Sequence, residues 1–158
     1  MIEDLTARLR VESYLADYYA MLDSDRLEEW ANYFTEQGTY RVTTRENYDQ
    51  GLPLSLMSCK GRGMFRDRIS ALRTANIYEP HVYCHIPGWV RMTDKKPGMI
   101  RAESSFTVIR TMWEGDSMLF AAGRSFDVFS DEGGKLTLLD RTVVLDSRQV
   151  DTLLVIPL

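Results

Sequence analysis

The chain has 158 residues, 44% hydrophobic and 27% charged, which reads as one soluble globular domain spanning 1–158, long enough to bury roughly two thirds of its unfolded surface. Nineteen Lys and Arg against 23 Asp and Glu leave a net charge of −4, which argues against a general nucleic-acid binder and against recruitment to an anionic membrane surface. Cys59 and Cys84 lack C-x-x-C spacing and read as free buried thiols; the polar start MIEDLTARLR has no signal-peptide core and no apolar run spans a membrane, so a cytoplasmic protein is expected.

Val11, Tyr14, Leu15, Tyr18 and Leu22 recur at helical spacing, with Glu12 and Asp17 off the stripe. They predict a first helix over about residues 5–22. Ser24-Asp25 breaks it, and Asp25 with Glu28 three residues on resembles a capping box. Leu27, Trp30, Ala31 and Phe34 then predict a short second helix, with Gly38 placed to end it. Thr39–Thr44 alternates as a strand, and 46–53 reads as a loop. A third helix is expected over about 63–75, buried through Phe65, Ile69 and Leu72. Its Arg62, Arg66, Arg68 and Arg73 make it the most basic segment, either a solvated face or a docking surface.

From residue 81 the period changes. Residues 81–92 lead into three long β runs, about 99–113, 117–130 and 135–146, joined at Glu114-Gly115-Asp116 and Asp131-Glu132-Gly133-Gly134. Runs that long must twist or bulge, and Gly123 is the natural bend. Helices first and a meander second give an α+β class. A curled sheet wrapped around the helices makes a cone with a pocket inside.

Pro80-His81-Val82-Tyr83-Cys84-His85-Ile86 holds the chain's two histidines. Pro80 blocks a helix, and the β-branched and aromatic neighbours favour a strand. His81, Tyr83 and His85 then share one face, with the histidines about 13 Å apart, too far to share a metal. A structural role, or an acid/base role for one histidine in a pocket, both fit. Asp25 reads as an N-cap or as an acid facing the pocket, and Tyr14, Tyr18 and Tyr40 as core tyrosines or pocket lining. Arg124 sits on a largely apolar face and needs a partner, for which Asp140 on the next strand is placed. No phosphate loop, nucleophile elbow or Ser-His-Asp order occurs. The residues alone therefore leave open a stand-alone cone-fold dehydratase or isomerase using Asp25, His81 and Tyr40 as acid/base groups.

Three stretches carry a resemblance along the whole chain: LDSDRLEEWANYFTEQGTYRV, DRISALRTANIYEPHVYCHI and the tail FAAGRSFDVFSDEGGKLTLLDRTVVLDSRQVDTLLVIPL. Together they resemble the small (β) subunits of bacterial aromatic-ring-hydroxylating oxygenases, the Rieske non-haem iron enzymes. The DRISALR…NIYE…H version looks most like oxygenases for aromatic carboxylates, of the terephthalate and salicylate-5-hydroxylase kind. The resemblance implies a cystatin-like cone of the nuclear transport factor two type: a long curved mixed or antiparallel sheet around about three N-terminal helices. It implies a structural or assembly role in aromatic catabolism, with no catalytic, cofactor-binding or metal-binding residue in this chain. The Rieske [2Fe-2S] cluster and mononuclear Fe(II) are then expected in a separate α subunit, fed from NAD(P)H through reductase and ferredoxin components. Neither C-x-H nor a matching C-x-x-H occurs here. The implied assembly is a β trimer within α₃β₃. Leu153, Leu154, Val155, Ile156 and Leu158 form an almost continuous apolar run, which a second chain is expected to cover.

Overall fold

The stripe from Val11 to Leu22 lies on helix α1, Ile2–Asp23, whose Ala7, Val11, Leu15, Tyr18, Tyr19 and Leu22 are buried. The computed structural model describes residues 2–75, 78–146, 154 and 156–158. After α1 the chain turns at Asp25, a non-glycine residue at φ 59°, into a 3₁₀ helix, Leu27–Tyr33. The expected second helix is thus one tight turn type shorter, because Phe34 already opens strand β1, Phe34–Thr44. Gly38 does not end a helix; it lies within β1, where a Cβ would come 2.9 Å from Phe34 Cβ and 3.0 Å from the Thr35 carbonyl.

Arg45–Asp49 forms a short helix, α2, where a loop was expected, with the Thr44 hydroxyl accepting from the Asn47 N–H as its cap. Strand β2, Met57–Lys60, has four residues, too few to show an alternation in sequence. Helix α3, Arg62–Thr74, buries Phe65, Ile69 and Leu72 as expected. Four long strands follow: β3 His81–Lys96, β4 Met99–Met112, β5 Ser117–Glu132 and β6 Lys135–Leu145.

All six strands form one sheet in the order β2-β1-β6-β5-β4-β3. It is mixed: β1 and β6 run parallel, and every other pair is antiparallel. The meander curls through register shifts between Pro87 and Val90, Met92 and Asp94, Val108 and Ile109, and Val128 and Phe129, each adding local twist. Gly123 is not one of these bends. It is a site of close approach, where a Cβ would overlap the Val144 carbonyl oxygen on β6.

The helices fill the inside of the curl, α1 against β3 and α3 against the 3₁₀ helix, β1 and β2. Trp30 meets Tyr40 and Phe65 edge-on, with ring centroids 5.0 and 4.7 Å apart, and Phe34 stacks on Phe65 at 4.4 Å. The tail joins this aromatic core. The Leu158 N–H donates to the Tyr40 hydroxyl at 2.9 Å, and the Tyr40 and Tyr18 hydroxyls donate to the Leu158 carbonyl at 3.1 and 3.3 Å. Leu154, Ile156 and Leu158 are therefore buried by their own chain rather than by a second one; Leu153 and Val155 lie outside the described residues.

Candidate functional site

A polar cluster sits under α1 inside the curl. Asp127 on β5 and Arg141 on β6 are direct partners in the antiparallel ladder, with side chains 1% and 0% exposed. Arg141 Nη1 donates to both Asp127 oxygens, at 3.0 and 2.8 Å, and Nη2 donates to the Tyr19 hydroxyl at 2.8 Å. The Ser125 hydroxyl donates to Asp127 at 3.0 Å and lies 2.8 Å from the Ser104 hydroxyl on β4. The Arg141 guanidinium also lies 4.7 Å from the Tyr18 ring centroid. Burial pushes the Asp127 carboxyl above its ordinary range, against the pull of Arg141 and of the Ser125 hydroxyl. Burial opposes the Arg141 charge as well, but Asp127 and the surrounding phenols carry the guanidinium well above its ordinary value. The pair stays charged because each partner satisfies the other in place of water.

His85 on β3 adjoins this cluster, its ring stacked on Tyr19 at 4.7 Å. Asp23, at the end of α1, accepts from the His85 backbone N–H at 2.9 Å and from its Nδ1 at 2.6 Å. A carboxylate only accepts, so Nδ1 carries the proton and Nε2 is the lone-pair nitrogen. Nε2 is buried and has no hydrogen-bond partner among the described residues. His81 is held likewise, its Nδ1 on the Glu79 carbonyl at 2.7 Å. The shared face of His81, Tyr83 and His85 is as the strand reading had it: Tyr83 and His85 are buried and Val82, Cys84 and Ile86 are exposed.

Burial lowers the His85 pKa, with Asp23 working in the opposite sense. The folded chain therefore binds a proton here less readily than the unfolded chain, whose histidine titrates near about 6.5. Stability from this group is complete above that pH and is lost as pH falls below it. Urea unfolding of wild type at pH 7.5 and at pH 5.5 should show a lower midpoint at pH 5.5. In His85→Gln that difference should shrink; an unchanged difference would remove His85 as its source.

Of the three residues of the acid/base reading, Asp25 and His81 line one cavity of about 250 Å³ with Asp23, Tyr83 and Ile156, while Tyr40 is engaged with Leu158 elsewhere. Asp25 is neither a cap nor free. No side chain caps the 3₁₀ helix, and the Asp25 carboxylate accepts from Arg73 at 2.8 Å, as does Glu28 at 2.7 Å. Arg73 thus ties α3 to the turn that a capping box would have closed by itself. Arg62 donates to the Phe34 carbonyl, and Arg68 to the Leu154 carbonyl. Much of the basic face of α3 is consequently spent on internal bonds.

Two further expectations change. Arg124 does not pair with Asp140; it is part-exposed and reaches Glu103 at 3.3 Å, which also accepts from Arg91 at 2.5 Å. Asp140 instead accepts from the hydroxyls of Thr39 and Thr142. Cys59 is buried as expected, but Cys84 is exposed on the outer face of β3.

The two cysteines lie on different elements, and no set of three His, Cys, Asp or Glu gathers as metal ligands among the described residues.

The family model described as "ring hydroxylating beta subunit" matches residues 19–152. The chain belongs to the ring-hydroxylating β-subunit family. It is 35% identical over 158 residues to the anthranilate 1,2-dioxygenase small subunit of Burkholderia cepacia, covering all of this chain and 98% of that one. It is 39% identical over 150 residues to the subunit beta 2 of the terminal oxygenase component of terephthalate 1,2-dioxygenase of Comamonas sp, covering 95% and 97%. A crystal structure assigned as the β subunit of an aromatic-ring-hydroxylating dioxygenase from Novosphingobium aromaticivorans superposes with a TM-score of 0.89 at 36% identity, covering 98% of each chain. This ring-hydroxylating β subunit is thus a small subunit of an oxygenase, with the cone fold the resemblance implied. The whole Asp23–His85–Tyr19–Arg141–Asp127 cluster lies within the matched span. No helix among the described residues is long and apolar enough to cross a membrane.

Sequence reasoning missed the Asp127–Arg141 pair. The available signal was a lone acid in RSFDVF and a lone base in LLDRTVV, each flanked by strand residues and joined by one hairpin.

Proposed function

We propose that this chain is a non-catalytic assembly subunit, one cone domain over 1–158, of a cytoplasmic oxygenase that hydroxylates the ring of an aromatic carboxylate. The observation that carries the reading is the filled cone: Arg141, Asp127, Tyr18, Tyr19 and Tyr40 occupy its interior and satisfy one another or the tail. A dehydratase or isomerase of this shape needs that space for its substrate. The Rieske cluster and the mononuclear iron belong, on this reading, to a separate α subunit with which the chain forms α₃β₃ around a β trimer. Electrons reach that subunit from NAD(P)H through reductase and ferredoxin components. The anthranilate and terephthalate relatives support the carboxylate substrate class.

Two measurements test this. Elemental analysis of the chain purified alone should find no stoichiometric iron, and stoichiometric iron or zinc would reject the reading. Co-expression with a Rieske-type α subunit should give one complex that consumes oxygen with an aromatic carboxylate. The chain alone should show no turnover of any candidate substrate.

A further inference from the structure

The Tyr18 and Tyr40 hydroxyls form a seat deep in the cone, and its occupant is a piece of this chain. Tyr18, Trp30 and Tyr40 are all fully buried, and the seat is braced from behind. The Trp30 indole N–H donates to the Tyr18 hydroxyl at 3.0 Å. The Trp30 ring meets Tyr40 edge-on, and the Arg141 guanidinium lies over the Tyr18 ring. None of these contacts involves the tail, so both phenols are positioned by the cone itself. Burial raises both well above the ordinary tyrosine value, so they remain hydroxyl donors at neutral pH. In front, the Tyr40 hydroxyl accepts from the Leu158 N–H, and both hydroxyls donate to the Leu158 carbonyl.

The occupant is held differently. Residues 154 and 156–158 belong to no helix or strand. Among the described residues their polar contacts are to side chains: the two phenols, and the Arg68 guanidinium on the Leu154 carbonyl at 3.4 Å. Burial of Leu154, Ile156 and Leu158 adds the apolar part. A pre-organised polar pair that grips one residue of a segment without secondary structure has the form of a binding site with its ligand tethered. A buried phenol seeks a partner, so a tail that leaves must be replaced by the same chemistry. We propose that the Tyr18–Tyr40 pair is a binding site whose resident ligand is the chain's own Leu158, and that a small N-acylated branched-chain amino acid takes the seat by displacing the tail. Such a ligand brings the one N–H, the one carbonyl oxygen and the branched apolar body that Leu158 supplies. The seat is made by this chain alone, whatever oxygenase it serves.

The test is methyl NMR of the full chain titrated with N-acetyl-L-leucine, as the free acid and as the amide. Wild type holds its tail in cis, so displacement should need probe at or above the millimolar effective concentration of a short tether. Ile156→Ser weakens the tail and leaves both phenols in place. About tenfold less probe should then move the Leu158 methyl signals to free-chain positions. Adding Tyr40→Phe to Ile156→Ser should abolish the displacement, with circular dichroism kept. Isocaproate, which has the leucine side chain without the N–H, should displace nothing. Arg68→Gln, which frees the Leu154 carbonyl, serves as the weakened tail if Ile156→Ser does not fold. The proposal is overturned if neither form of the probe displaces a weakened tail, or if a weakened tail needs as much probe as wild type. It is equally overturned if displacement survives Tyr40→Phe, or if the probe binds while the Leu158 signals stay where they were.

Discussion

Asp127→Ala is expected to lower the unfolding free energy by about 3–5 kcal/mol, the range for removing one partner of a buried ion pair. The guanidinium of Arg141 would remain fully buried and lose both of its carboxylate bonds. Only the Tyr19 hydroxyl and Ser125 would be left to it. For a chain of this size the melting temperature should fall by roughly 10 °C or more. The double change Asp127→Leu with Arg141→Met is expected to cost clearly less than Asp127→Ala, because no charge is then stranded. Thermal and urea melts of the three proteins decide this. A double variant as unstable as the single one would mean that the whole hydrogen-bond network matters more than the stranded charge.

Gly123→Ala should also be severe, by a different mechanism. Its new methyl would overlap the Val144 carbonyl oxygen and come 3.0 Å from Leu145 Cα. Both obstacles are backbone of β6, which cannot rotate away as a side chain can. Forcing extra volume into such a contact costs about 1–3 kcal/mol or more, and here it also parts the β5–β6 ladder beside Leu145. Gly63→Ala is the control: no atom lies within 4 Å of a Cβ there, so stability should hold or rise by about 0.5–1 kcal/mol. Equal loss in both variants would point to glycine flexibility rather than to the close approach.

The elements that repeat a local pattern were legible in the sequence. The stripe of α1, the buried side of α3 and the three long runs of the meander all fall where their periods put them. What local pattern could not give was the register. Counting outward from the Gly133-Gly134 turn without interruption sets Asp127 opposite Asp140, two carboxylates face to face. The extra residue Leu139 shifts the ladder by one, so that Val128 meets Asp140 and Asp127 meets Arg141. One bulge therefore decides whether the interior holds a repulsion or an ion pair, and bulges leave no periodic trace. The same holds for Asp25 and Glu28. Their spacing is that of a capping box, yet the donor they serve is Arg73, 48 and 45 residues away. The histidine strand was readable because alternation alone sets its two faces; the carboxylate that holds His85, Asp23, is 62 residues distant. The outer apolar face of the meander escaped notice because its residues come from separate strands and become one surface only in the sheet.

The parallel pairing of β1 with β6 bears on how the chain is made. Thr39 and Asp140 adjoin in the sheet but are 101 residues apart. The meander from β3 to β6 closes through short hairpins, whereas β1 has only the four-residue β2 beside it until β6 exists. During synthesis the apolar stripe of α1 and the aromatic residues around Trp30 leave the ribosome long before their covering strands do. Such long-range topology folds slowly and keeps sticky surface in view for the interval. Yield of this subunit in a heterologous host should accordingly depend on chaperone supply and translation speed more than on the final stability of the cone.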